Sequence, residues 1–244
     1  MKYIFLIFGY GIPKNILTDE NYNLYLKTVF NQVYDLVIKN KINNPLIICS
    51  GGKTDCFKPY QRTEGDEMVK FFKKLCHQSF LKSVTKNWLF ISEKTSLSTL
   101  ENFLYCKNIL KKQKITSARL YVFCEQTRVK RVKILAKKIL AKKYNLTVIP
   151  VDFDTSPNRY LDPQFLTEKE RLVLKHDLWA LENSANLKKY HQLFEEKLKF
   201  LRKAGPEVHT KAVQEWWKQE INKLMEKNII TKQNLILCNN GKKI

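Results

Sequence analysis

Five short apolar runs recur along the first 151 residues, at 3–8, 45–49, 88–92, 119–124 and 146–151, and each of the first four is followed by a segment of helical period. Runs this short and this apolar are strands buried on both faces. Strands that alternate with helices at this spacing form βαβ crossovers, so the chain is expected to be α/β, doubly wound around a mainly parallel sheet with helices on both faces. The first helical segment, 19–39, places Tyr22, Leu26, Val29, Phe30, Val33, Leu36 and Val37 on one face, with Asp19 as its N-cap. The segment 62–76 does the same with Met68, Val69, Phe72 and Leu75, and 99–112 with Leu100, Phe103, Leu104, Ile109 and Leu110. Residues 128–143 read as a strongly basic helix, and Pro150 marks the end of the fifth strand or a sheet edge.

The character changes after residue 152. Asp154, Ser156, Pro157, Asn158, Asp162 and Pro163 make a polar linker. Helical patterns then run from Thr167 to about Leu224, broken at Gly205-Pro206, and Leu235-Ile236-Leu237 reads as a short closing strand. The expected organisation is an α/β ligand-binding domain over 1–153 and a mostly helical addition over 154–244. Trp216-Trp217, with Phe200 and Leu201 upstream, is expected to pack the helical part on the sheet.

Chemistry is expected at the corners where strands hand over to helices, because open α/β sheets hold ligands outside the carboxyl ends of their strands. The second strand stops at Ser50-Gly51-Gly52, where backbone N–H groups without a neighbouring Cβ can approach a phosphate, carboxylate or ribose. A plain tight turn would need the same glycines. The third strand opens onto Glu93-Lys94-Thr95-Ser96-Leu97-Ser98-Thr99-Leu100-Glu101-Asn102. Ser98 or Thr99 can cap the next helix and Glu101 suits its first turn, but Glu93, Ser96, Thr99, Glu101 and Asn102 crowd the corner beyond what capping needs. After the fourth strand, Arg128, Lys130 and Arg131 stand near a helix N-terminus, where cations gain nothing from the helix dipole and can instead meet an anion.

Lys and Arg total 44 against 23 Asp and Glu, a formal net charge of +21, so anionic partners are favoured: nucleotides, phosphates, nucleic acid or an anionic membrane surface. Asn, Lys and Ile are abundant along the whole chain, and compositional bias accounts for part of the excess. The six cysteines form no Cys-x-x-Cys pair and have no histidine cluster beside them, so free thiols in a reducing cytosol are expected and no metal site. His77, His176, His191 and His209 do not pair at ligand spacing; His176, beside Asp177 and near Trp179, is the one that could line a pocket. The apolar start Tyr3–Phe8 runs into Gly9-Tyr10-Gly11-Ile12-Pro13 without a cleavage site, so it reads as a buried first strand, and no run reaches the ~18 apolar residues of a membrane span. A cytoplasmic location follows as the expectation. No Gly-x-x-x-x-Gly-Lys-Ser/Thr loop, Gly-x-Ser-x-Gly elbow or His-Glu-x-x-His helix is present.

The glycine turn at 9–11, the strand ending in Ser50-Gly51-Gly52, the acidic helix start near Glu64 and the Ser96-x-x-Thr99-x-Glu101-Asn102 segment together resemble the DUF218 family, whose branches are YdcF-like, SanA-like and ElyC-like. The match covers roughly residues 3–152 and is closest in type to the soluble YdcF-like branch. The resemblance implies a Rossmann-like fold and a pocket for a nucleotide-like ligand, with S-adenosylmethionine as the cofactor. It points to Gly9, Gly11, Ser50, Gly51, Gly52, Glu93, Ser96, Thr99 and Asn102 as ligand contacts, to Glu101 beside them, and to Glu64 after the hydroxyl of Thr63. One departure stands out: the His-x-x-Arg segment that the family shows after its fourth strand is replaced by Thr127-Arg128-Val129-Lys130-Arg131.

The expected function is therefore binding of an anionic, nucleotide-like ligand at the carboxyl edge of the sheet, with Glu64 and Glu101 as general-base candidates and group transfer from S-adenosylmethionine as one reaction. Hydrolysis of a phosphate ester or anhydride, assisted by a divalent metal on carboxylates, is the alternative enzyme. A non-enzymatic module that lays the basic helix 128–143 on nucleic acid or an anionic membrane is the rival class.

Overall fold

The computed structural model describes residues 2–140, 143–152 and 162–226. The short strand expected at 235–237 and most of the polar linker lie outside the described residues. The chain divides into two compact units, Met1–Tyr160 and Leu161–Ile244.

The first unit is α/β. Its strands are β1 (Lys2–Phe8), β2 (Leu46–Ser50), β3 (Leu89–Glu93), β4 (Ala118–Glu125) and β5 (Asn145–Val151). All four pairings are parallel and the order is β3-β2-β1-β4-β5, a doubly wound, Rossmann-like sheet. Strand order reverses beside β1, so the crevice of the fold opens between the ends of β1 and β4. Pro150 sits in the edge strand β5, where its missing N–H breaks no ladder bond with an outer neighbour.

Helices cover both faces. On one, α1 (Glu20–Lys39) and α2 (Glu64–Cys76) bring Tyr25, Val29, Phe30, Met68 and Phe72 onto Phe5, Ile7, Ile47 and Cys49. On the other, α4 (Thr99–Lys112) packs on β1, β2 and β3, and α5 (Val129–Ile139) on β4 and β5. The ring of Phe103 from α4 meets Phe8 of β1 edge to face, centroids 4.7 Å apart, and both are fully buried. Asp19 caps α1 through Tyr22 N–H, and Ser98 caps α4 through Glu101 N–H. A short helix that the periodicity does not announce, α3 (Ser79–Thr85), follows α2. A 3-10 turn over Gln126–Arg128 precedes α5, so the basic helix starts at Val129 rather than at 128.

The second unit holds α6 (Pro163–Ala180), α7 (Ser184–Ala204) and α8 (His209–Glu226). Gly205 ends α7 at φ +88°, a backbone angle that suits glycine, where the break was expected. A second break, at 181–183, is set by Asn183, whose side chain caps α7 through Asn186 N–H. Within this unit Trp216 packs on Phe200, and Trp217 on Phe194 and the Lys197 ammonium, 4.5 Å from its ring centroid. No helix among the described residues is long and apolar enough to cross a membrane.

Phe103→Ala removes the ring that joins α4 to the middle of the sheet. It is expected to cost about 3–5 kcal/mol, read from the midpoint of urea unfolding.

Candidate functional site

The register places the site. Phe8 pairs with Ser50, and Ser50 with Glu93, so three strand ends stop at one level. Gly9 and Gly51 stand one residue beyond, with Glu64 of α2 directly against both. Glu93 and Glu64 are both buried at this rim, and their surroundings differ.

Glu93 closes a polar knot. Its Oε1 accepts from Thr95 N–H at 2.7 Å, from the Thr95 hydroxyl at 2.7 Å and from Ser96 N–H at 3.1 Å. Its Oε2 accepts from the Ser50 hydroxyl at 2.6 Å and from the Ser96 hydroxyl. Asn102 Oδ1 lies 3.2 Å from the same Ser50 hydroxyl. Ser50, Glu93, Ser96 and Asn102 are thus brought together as the sequence pattern suggests, but they are spent on one another. Glu101 is a helix cap: its carboxylate accepts from Leu97 N–H at 2.6 Å while its own N–H donates to Ser98 Oγ. Thr99 accepts from the buried Arg131 guanidinium at 3.0 Å, which ties α4 to α5.

The glycine turn does not offer its N–H groups to a ligand. Gly51 N–H donates to Glu93 O at 3.1 Å, and Gly52 N–H to Ser96 O at 2.7 Å. The carbonyls of Gly51 and Gly52 in turn accept from Gly65 and Glu64 N–H, both at 2.8 Å. The expected backbone cradle is therefore corrected: these peptides stitch β2 to β3, to the loop after it and to the start of α2. Glycine is required because neighbours press against the backbone. A Cβ on Gly52 would lie 2.8 Å from Ser96 O, and one on Gly65 would lie 2.2 Å from Glu93 O. Gly11 lies in the bend after β1, half-buried.

Glu64 is the unusual group. It is the first residue of α2, capped by Thr63, and its side chain turns in over the strand ends. A Cβ on Gly9 would stand 1.8 Å from its Oε1, and one on Gly51 would stand 2.3 Å from its Oε2, so only bare backbone leaves room for the carboxyl. Two hydroxyls serve it: Tyr22 donates to Oε1 at 2.9 Å and Thr54 to Oε2 at 3.3 Å. Burial pushes its pKa up to about 7, against the opposing pull of Tyr22, the Arg128 charge and Thr54. A carboxyl in this condition exchanges a proton at neutral pH.

Arg128 reaches across the crevice, and one of its terminal nitrogens donates to Gly9 O at 2.7 Å and to Tyr10 O. It pins the loop after β1 to the start of the β4–α5 turn and sets a positive charge beside Glu64. Lys130, expected beside it, is exposed. Burial also pushes the Cys49 and Cys106 thiols far up, so neither supplies a thiolate under the site. His176, a pocket candidate by sequence, is a packing residue of the helical unit. It stacks on Trp179 at 5.1 Å, lies 5.0 Å from Tyr190, and is held neutral by burial, its pKa drawn down to about 4.

Tyr22 and Thr54 were not singled out by sequence. Tyr22 reads as one apolar position of an amphipathic helix, and the only signal was its hydroxyl, which needs a partner once buried. No protein-family model, curated protein or solved structure matches this chain.

The three atoms nearest to a Cβ on Gly9 all belong to Glu64. Gly9→Ala is therefore expected to destabilise by about 2 kcal/mol in the wild-type background and far less in a Glu64→Ala background, whereas Gly65→Ala, which meets a backbone carbonyl, should cost as much in either; chemical denaturation of the four variants and their parents checks this. Stability should also report the Glu64 proton. The folded carboxyl keeps its proton up to about pH 7 while an unfolded one releases it near 4.5, so folding loses stability as pH rises through that window. Glu64→Gln removes this dependence, and its stability relative to wild type should improve by roughly 2–3 kcal/mol between pH 5 and pH 8 in denaturant melts.

Proposed function

We propose that the α/β unit binds a small anionic, nucleotide-like ligand at the carboxyl edge of its sheet, and that Glu64 is the group that gives or takes a proton there. The observation that carries this reading is the buried Glu64 carboxyl, seated on the bare backbone of Gly9 and Gly51 with its pKa pushed up to about 7. Structural carboxylates at strand ends are supplied with donors, as Glu93 is; one left to hold its proton at neutral pH suits acid–base work. Arg128 and Lys130, at the turn that leads into α5, are the cations that would face phosphate or carboxylate groups.

The DUF218-like pattern makes S-adenosylmethionine the first cofactor to consider. A ribose needs a carboxylate free to accept from its hydroxyls, and the two expected for that task are engaged, Glu93 with Thr95, Ser96 and Ser50, and Glu101 with Leu97 N–H. Neither is on offer to a ribose, whether of S-adenosylmethionine or of a nucleotide, and a phosphate-containing nucleotide is the better match because it also brings phosphates to the cations Arg128 and Lys130. Its phosphates would meet cations, and the proton transfer at Glu64 would belong to phosphate ester or anhydride chemistry. Among the described residues no group of three or more His, Cys, Asp and Glu stands ready to hold a metal ion, so a divalent metal would arrive with the nucleotide.

A thermal-shift screen with nucleoside mono-, di- and triphosphates, nucleotide sugars, S-adenosylmethionine and S-adenosylhomocysteine, with and without magnesium, tests the reading. A phosphate-containing nucleotide at 100 times its Kd should stabilise the protein by ~2.7 kcal/mol. Affinity or turnover should inflect near pH 7 in wild type and lose that inflection in Glu64→Gln. A panel without any hit, or binding and turnover unchanged in Glu64→Gln, overturns it.

A further inference from the structure

The positive charge of this chain is concentrated on one helix layer. Residues 162–226 hold twelve Lys and Arg against eleven Asp and Glu, whereas residues 99–143 hold thirteen against two, so a uniform compositional bias does not account for the excess. The two acids of that stretch, Glu101 and Glu125, are buried; the first caps α4 and the second accepts from Thr127. The outer surface of the α4–α5 layer is left without a carboxylate. Lys107 and Lys111 on α4, and Lys130, Lys133, Lys137 and Lys138 on α5, are exposed. Among the described residues none of the six has an acidic partner, whereas on the opposite layer Lys70 pairs with Glu67 and Lys94 with Asp66.

The two helices form one platform. They pack side by side and are pinned by the Arg131–Thr99 bond. Lysines four residues apart, such as Lys107 and Lys111 or Lys133 and Lys137, repeat about every 6 Å along each helix, and packed helices lie about 8–10 Å apart. Like charges held this close repel one another, a cost that a polyanion removes.

The chemistry of the face selects the polyanion. Its apolar side chains are used up on the sheet: Leu100, Phe103 and Leu110 of α4, and Val132, Leu135 and Ile139 of α5, are all buried. Ile134, 36% exposed, is the most exposed large apolar side chain on these helices; Leu104, Ile109 and Val129 are half-buried, too little apolar surface to enter a bilayer. Tyr105, half-buried, is the one aromatic ring of the two helices that reaches solvent, and a single ring makes no stacking platform for the bases of a single strand. What remains is a rigid array of ammonium point charges, which suits the closely spaced phosphates of a duplex and reads no bases. We propose that the α4–α5 layer is a docking surface for the phosphate backbone of duplex DNA, bound without sequence preference.

Fluorescence anisotropy of the full chain with a labelled 30-base-pair duplex, between 50 and 200 mM salt, is the test. Wild type should bind with an affinity that falls steeply with salt. The quadruple variant Lys107→Glu/Lys111→Glu/Lys133→Glu/Lys137→Glu should bind at least tenfold more weakly, with the slope of log K against log salt flattened by roughly 3 to 4. A control of equal charge change away from this layer, Lys73→Glu/Lys74→Glu/Lys82→Glu/Lys86→Glu, should stay within about threefold of wild type, since binding set by local contacts spares distant lysines. Thermal melts check that both fold, and the four Lys→Gln changes replace the first variant if it does not. Equal losses in the two quadruple variants, absence of duplex binding at 50 mM salt, or preference for the matching single strand or for phosphatidylserine vesicles would each overturn the proposal.

Discussion

Glu64 and Glu93, two of the carboxylates buried at one end of the sheet, have to be supplied with donors, and the way each is supplied shapes the rim. Glu93 receives five, from Thr95, Ser96 and Ser50. That demand folds the loop after β3 back on itself, locks Ser50 at the tip of β2, and fixes where α4 can begin. Glu64 receives two, from Tyr22 and Thr54. A carboxylate out of water with so few donors is costly, and the protein lowers the cost by leaving the group its proton. The same functional group, a few residues apart in space, is therefore structural in one case and chemically poised in the other.

The glycines follow from the seating of Glu64 and the crossing of backbones. Gly9 and Gly51 leave room for its carboxyl, and Gly52 and Gly65 let β2, the loop after β3 and the start of α2 bond through their peptides. The rim thus becomes a well-bonded floor in which the Gly51, Gly52, Glu64 and Gly65 N–H groups are already committed. Glu64 is seated on this floor, and Arg128 braces the loop after β1. A reacting group on a well-bonded floor is held in geometry more tightly than one on a free loop.

The two helix layers of the α/β unit differ in kind. The layer of α1 and α2 carries both signs of charge and supplies Tyr22 and Glu64 to the rim. The layer of α4 and α5 presents lysines alone. The lysines of that second layer place a positive field on that side of the unit. The two proposals, a rim site for a small anion and a flat face for a large one, are compatible because they concern different sides of the unit.

Strand and helix alternation, the parallel sheet, the caps at Asp19 and Ser98, the break at Gly205 and the cationic excess were all legible along the chain, since each depends on residues within a few positions of one another. The polar residues clustered at the strand ends were legible too. Their division of labour was not. Tyr22 meets Glu64 from 42 positions away, and Ser50 meets Glu93 from 43. Those meetings depend on the register that sets Phe8, Ser50 and Glu93 side by side, and on how far each helix leans over the strand ends. Periodicity says which face of an element is buried; it does not say which buried polar groups will face each other. Hydrogen-bond supply is a property of three-dimensional neighbours, so only the folded sheet could separate the satisfied carboxylate from the poised one.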